Sequence, residues 1–142
     1  MSNMRVALEI EIPSDVHEIE RVVELVQKEC RQLKIEPEKC SLNVPVALTE
    51  ALSNAILRGN REDSSKSVRV RASVNKAGDK LVVDVIDEGS GFDLPANTRN
   101  CTTPENIQRE DGRGLYLMQC LVDRVEQFVD GGNTVRLTVQ RG

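Results

Sequence analysis

The sequence predicts an α+β fold, a two-layer sandwich whose mixed, mostly antiparallel sheet is covered on one face by helices. Two observations carry that expectation. The strand patterns come mostly as hairpin pairs, and the two long helical patterns follow one another near the start of the chain. The length, 142 residues, fits a single domain spanning 1–142. With 39% hydrophobic residues but one Tyr, two Phe and no Trp, its core must be aliphatic.

Residues 4–12 alternate in their second half and read as a strand that Pro13 ends. Ser14 or Asp15 can cap a helix running to about Leu33, with Glu18 three residues after Asp15 as in a capping box. Its apolar positions Ile19, Val22, Val23, Val26 and Cys30 recur at helical spacing. A second helix begins near Pro37 or Ser41 and runs to about Arg58, where Gly59-Asn60 stops it. Residues 61–67 are polar and read as a loop. Val68, Val70, Ala72 and Val74 alternate with polar residues in a half-buried strand, and Ala77-Gly78-Asp79 turns the chain into the apolar strand 81–86. Residues 88–111 show no regular period, and a connection this long is usually functional. Residues 115–122 read as an apolar helix. Strands at 124–129 and 134–140 follow, joined at Gly131-Gly132-Asn133.

The formal net charge of −4 and the scarcity of aromatic residues argue against direct nucleic-acid binding. No apolar run approaches membrane-spanning length and no signal peptide is visible, so no membrane partner is expected. Cys30, Cys40, Cys101 and Cys120 include no C-x-x-C pair, and the lone His17 is remote from them in sequence. That spacing argues against zinc. The four are expected to be free thiols in a reducing cytoplasm.

Three short motifs carry the chemistry. Glu50 and Asn54 stand four residues apart on one helical face, and Arg58 extends the stripe. A carboxylate there can serve as a general base, and the amide oxygen is a suitable hard ligand for Mg²⁺. Asp87 ends an apolar strand and is followed by Glu88-Gly89-Ser90-Gly91. An acid so placed can accept from an exocyclic amine, while glycines permit an approach that a Cβ would block. Gly112-Arg113-Gly114-Leu115 opens a helix, whose free N–H groups attract phosphate. Arg113 could add a charge-assisted contact. Each motif alone has a plain alternative: a solvated helix face, a capped turn, a glycine loop before a helix. In one chain, in this order, they describe a nucleotide site.

The set resembles the ATPase domain shared by gyrase, Hsp90, histidine kinases and MutL, known as the GHKL or Bergerat fold. Glu50 and Asn54 match its N-box, Asp87, Gly89 and Gly91 its first glycine box, and Gly112 and Gly114 its second. Residues 92–111 match its ATP lid. The pattern Glu-Ala-x-x-Asn-Ala-Ile-x-x-Gly from Glu50 to Gly59 is similar to the bacterial anti-sigma-factor serine kinases of the RsbW and SpoIIAB type. So is the stretch from Gly112 through Met118, Val122-Asp123 and Val125-Glu126.

The resemblance implies an ATP-binding serine/threonine kinase with Glu50 as general base and Asn54 as the Mg²⁺ ligand. It implies that Asp87 binds the adenine amine and that Gly89 and Gly91 shape the base pocket. Gly112, Arg113 and Gly114 would face the phosphates, with Arg58 and Leu115 in the same nucleotide-binding set. It further implies a cytoplasmic homodimer that phosphorylates an anti-sigma-factor antagonist of the STAS type and sequesters a sigma factor. Arg21 stands where relatives place a basic contact residue, and the edge strand 4–12 offers a pairing surface. Arg58, where many relatives carry His, and the lid sequence depart from the pattern.

Two other readings remain. His17-Glu18 superficially matches the phospho-acceptor box of a histidine kinase, but the chain between His17 and Glu50 is too short for the dimerisation hairpin at about 1.5 Å per residue. A non-catalytic module that regulates a partner, with nucleotide as a structural ligand, is the main alternative.

Overall fold

The structure is a computed structural model that describes residues 4–89, 118–129 and 131–142. Its strands are β1 (Met4–Pro13), β2 (Ser67–Asn75), β3 (Lys80–Asp87), β4 (Arg124–Val129) and β5 (Asn133–Gln140). They form one sheet in the order β1-β2-β3-β5-β4, and every described pairing is antiparallel. Helices α1 (Ile19–Arg31) and α2 (Val44–Asn54) pack on one face, so the expected two-layer sandwich is the observed one.

The alternation in β2 does what its period dictates. Val68, Val70, Ala72 and Val74 are buried against the helices. Leu81, Val83 and Val85 of β3 and Val135, Leu137 and Val139 of β5 continue the same face. Val22, Val23 and Val26 of α1 and Ala47, Leu48, Ala51 and Leu52 of α2 close the layer. The core is aliphatic, as composition required.

The opposite face is held by charge. In register across the sheet stand Glu9, Arg71, Asp84, Arg136 and Glu126, one from each strand with signs alternating. Arg71 Nε donates to Glu9 at 2.9 Å, and Arg136 forks onto both oxygens of Asp84 at 2.8 and 3.1 Å. Phe128, well exposed, lies under the Arg136 guanidinium at 4.8 Å. Asp84, which interrupts an otherwise apolar strand, is thus a cross-strand partner.

The helix starts differ from the expected capping box. Asp15 Oδ1 accepts the His17 N–H at 2.9 Å and opens a short 3₁₀ turn, Val16–Glu18. Glu18 pairs forward with Arg21 at 2.7 Å instead of folding back on the cap. Ser14 faces inward.

α2 is the middle of one continuous helix, Lys39–Gly59, flanked by π-helical turns Lys39–Asn43 and Ala55–Gly59. Pro45 brings no N–H to the ladder, and just before it the Val44 N–H reaches the Lys39 carbonyl, five residues back. One 18-residue window of this 21-residue helix reaches a mean hydropathy of 1.2, enough by length and composition alone to cross a membrane, so the expectation that no apolar run approaches that length is corrected. Its apolar face is buried in the core.

The free-thiol expectation is also corrected. Cys30 at the end of α1 and Cys40 in the first π turn form a disulfide with their Cα atoms 5.5 Å apart, and Cys120 is disulfide-bonded too. Helical periodicity places Cys30 on the buried face but cannot show that Cys40 meets it there. Cross-linking across 10 residues stabilises by about 2–3 kcal/mol in the chain-entropy account. A Cys30→Ala/Cys40→Ala variant is expected to lose about that much in urea titration, and adding reductant should destabilise the wild type more than the variant. Equal sensitivity of the two proteins would contradict the bridge.

Candidate nucleotide site

Glu50, Asn54 and Arg58 lie along one side of the Lys39–Gly59 helix, as their spacing requires. Glu50 and Asn54 are half-buried and Arg58 is exposed. Among the described residues, their side chains make no hydrogen bond or ion pair. The stripe therefore contributes little to holding the fold.

The helix ends against the end of β3. A Cβ on Gly59 would overlap the Asp87 carboxylate, and a Cβ on Gly89 would overlap the Gly59 carbonyl. Glycine is needed at both places because backbone and carboxylate approach closer than any side chain allows. The sequence motifs around Asn54 and Asp87 are thereby brought together, with Gly59 and Gly89 in contact.

Asp87 occupies the core-facing side of β3 and is 2% exposed. Its Oδ1 accepts the Gly89 N–H at 2.8 Å, and its Oδ2 accepts from Asn133 Nδ2 at 3.1 Å. Asn133 pairs with Asp87 in register and accepts in turn from Gln127 Nε2 at 2.7 Å. A carboxylate offers about four acceptor positions. Among the described residues two are filled, leaving acceptor capacity for an amine. Burial raises the Asp87 pKa above its ordinary 3.8, while the Asn133 and Gly89 donors and the charge of Lys66 oppose the shift.

Beside this carboxylate lies a polar network that sequence reasoning missed. Asn60 is fully buried and its amide bonds three elements at once. Nδ2 donates to Ser14 Oγ at 3.0 Å and to the Ser67 carbonyl at 2.9 Å, while Oδ1 accepts the Glu88 N–H at 2.8 Å. Ser14 Oγ donates onward to the Lys66 carbonyl at 2.7 Å, and Glu88 Oε2 accepts the Ser67 N–H. Gly59-Asn60 reads as a helix stop, which it is. Nothing local signals that the amide is buried. Asn133 likewise reads as a turn residue.

Gly91, Gly112, Arg113, Gly114, Leu115 and the lid at 92–111 lie outside the described residues. Arg21, expected as a partner contact, directs its guanidinium to Glu18.

The buried carboxylate yields a signed pH dependence. Its native pKa is raised, so between 3.8 and that higher value the native state holds more protons than the unfolded chain. Stability then falls as pH rises through the window. Asp87→Asn removes the ionisation, so its stability relative to wild type should increase with pH from below 3.8 and then level off. Denaturant melts across acidic to neutral pH measure this; a difference independent of pH would refute it.

A sequence model described as a histidine kinase-like ATPase domain matches residues 12–139. The serine-protein kinase RsbW of Bacillus licheniformis is 34% identical over 101 residues, covering 68% of this chain and 62% of the relative. The RsbW of Bacillus subtilis (strain 168) matches at the same identity and coverage. The anti-sigma F factor of Clostridium beijerinckii is 30% identical over 105 residues, covering 70% of this chain and 68% of the relative. The matched region is thus less than two thirds of the length of these RsbW relatives. Fold, motif order and these similarities agree that the chain belongs to the histidine kinase-like ATPase family, in the branch of the RsbW-type serine kinases and anti-sigma F factors.

Proposed function

We propose that this chain is an ATP- and Mg²⁺-dependent protein serine/threonine kinase that phosphorylates an anti-sigma-factor antagonist of the STAS type and sequesters a sigma factor. The observation that carries this reading is the junction of Gly59, Asp87 and Gly89 at the end of the helix bearing Glu50 and Asn54. Its backbones meet where a Cβ would intrude, and among the described residues its buried carboxylate keeps unused acceptor positions. That chemistry fits an adenine amine. The names serine-protein kinase and anti-sigma F factor, borne by relatives, support the protein substrate and the sigma-factor partner.

Each residue has a distinct task in this reading. Asp87 accepts the adenine amine, with Gly89 and Gly91 shaping the base pocket around it. Asn54 would supply an amide oxygen to Mg²⁺, a cation that takes few ligands from protein side chains. The metal, when bound, neutralises phosphate charge. Glu50, one helical turn before Asn54, takes the proton from the substrate hydroxyl as its oxygen bonds to the γ-phosphorus and the bond from that phosphorus to the bridging oxygen breaks, so that ADP leaves. Gly112, Arg113, Gly114 and Leu115, where the sequence predicts a helix start, cradle the phosphates, and Arg58 lies along the helix face of Glu50 and Asn54. The working unit in this reading is a cytoplasmic homodimer, and 92–111 is its ATP lid.

Incubation with γ-labelled ATP, Mg²⁺ and a serine-bearing STAS-type antagonist should move label to the antagonist. Glu50→Ala should lower transfer by at least a hundredfold while ATP binding stays within about threefold of wild type, the range expected for loss of a general base. Binding without any transfer by the wild type would favour the non-catalytic module. Loss of binding together with transfer in Glu50→Ala would remove Glu50 from the role of base.

A further inference from the structure

We infer that Asn60 is a positioning residue that sets the glycine turn at the nucleotide site. The inference rests on the proposed ATP reading of that site. Its basis is the direction of three hydrogen bonds. The Asn60 amide is fully buried just beyond the helix that carries Glu50 and Asn54. Its oxygen faces the turn and accepts the Glu88 N–H at 2.8 Å, between Asp87 and Gly89. Its nitrogen faces away and donates to Ser14 Oγ and to the Ser67 carbonyl. The flip state follows from these partners, since only the oxygen can accept a backbone N–H and only the nitrogen can serve a carbonyl.

The Asn60 backbone is itself pinned. Its N–H bonds the Ala55 carbonyl at 2.8 Å, and the Glu62 N–H bonds the Ile56 carbonyl at 2.8 Å. Between them the chain leaves the helix through Arg61 and Glu62, both left-handed at φ 52° and 56°. Side chains rarely adopt that conformation, so it persists where surrounding bonds over-determine it. A fixed backbone gives the amide a fixed reach. The Glu88 N–H is then held at a set distance from the helix end, and with it the orientation of Asp87 and Gly89 on either side. Asn60 touches no ligand in this account and acts through the turn.

The amide's two ends allow its roles to be separated. Asn60→Leu, with the same number of side-chain heavy atoms, removes both. Asn60→Asp keeps the acceptor for the Glu88 N–H and loses the donors. Ser14→Ala removes only one acceptor of the amide nitrogen, on the side away from the turn. All three should melt at lower temperature than wild type. Positioning predicts that Mg²⁺-ATP affinity, measured by calorimetry well below every melting transition, drops roughly tenfold or more in Asn60→Leu. It should remain within about threefold of wild type in Asn60→Asp and Ser14→Ala. Amide hydrogen exchange of the wild type supplies a readout that needs no variant: the Glu88 N–H should be protected, and Mg²⁺-ATP should slow Glu88 and Gly89 together. Asn60→Leu binding ATP as wild type does would reduce Asn60 to a fold staple and overturn the inference. So would an unprotected Glu88 amide, which decides the matter if Asn60→Leu does not fold. Failure of the wild type to bind ATP would overturn the nucleotide reading and this inference together.

Discussion

The contact on which the site depends is between the end of a helix and the end of a strand. Gly59 closes the Lys39–Gly59 helix with its backbone against the Asp87 carboxylate, and Gly89 brings the following turn against the Gly59 carbonyl. No side chain fits in this junction. It is also where the polar groups of the core gather, since Asp87, Asn60 and Asn133 are all buried within a few residues of it. Burying such groups costs free energy unless each is hydrogen-bonded, and here each is. The requirement to satisfy them fixes how the turn, the helix end and the start of β5 meet.

The rest of the molecule keeps that junction in place from a distance. The aliphatic layer between helices and sheet sets the height of the helix above β3. The Cys30–Cys40 bridge ties α1 to the start of the long helix. In the first π turn, Asn43 donates to the Leu121 carbonyl at 3.1 Å, linking the same helix to residues 118–121. On the other face, a row of alternating charge from Glu9 to Glu126 runs across the five strands, with ion pairs joining Glu9 to Arg71 and Asp84 to Arg136. The exposed Glu9–Arg71 pair contributes modestly to stability, and oppositely charged neighbours along the row also disfavour a slipped register.

Family membership joins this architecture to a chemistry. In the proposed function, the buried acid at the end of the helix that bears Glu50 and Asn54 holds a base at one end, with phosphates further along. The two stretches that the fold brings together belong to one site in that reading. Among the described residues the polar stripe of Glu50, Asn54 and Arg58 makes no hydrogen bond or ion pair, whereas Asn60 just beyond it is engaged in the fold.

Much of the fold was legible because its signals are local. The alternation of β2, the helical spacing of Val22, Val23 and Val26, and the turn at Gly78 each lie within a few residues of one another, and the observed β2, α1 and turn carry them, although α1 begins only at Ile19. Capping was less legible, since Asp15 and Glu18 had rival partners in His17 and Arg21. By itself the sequence determined the order of elements, their buried faces and the motifs that name the family, because periodicity and spacing need no distant partner. Only the tertiary structure decided which cysteines met, that Asn60 is a core residue, and that Asn133 serves Asp87. Those partners lie 10, 28 and 46 residues apart, and which distant polar groups share a buried site is settled only when the sheet and helices pack.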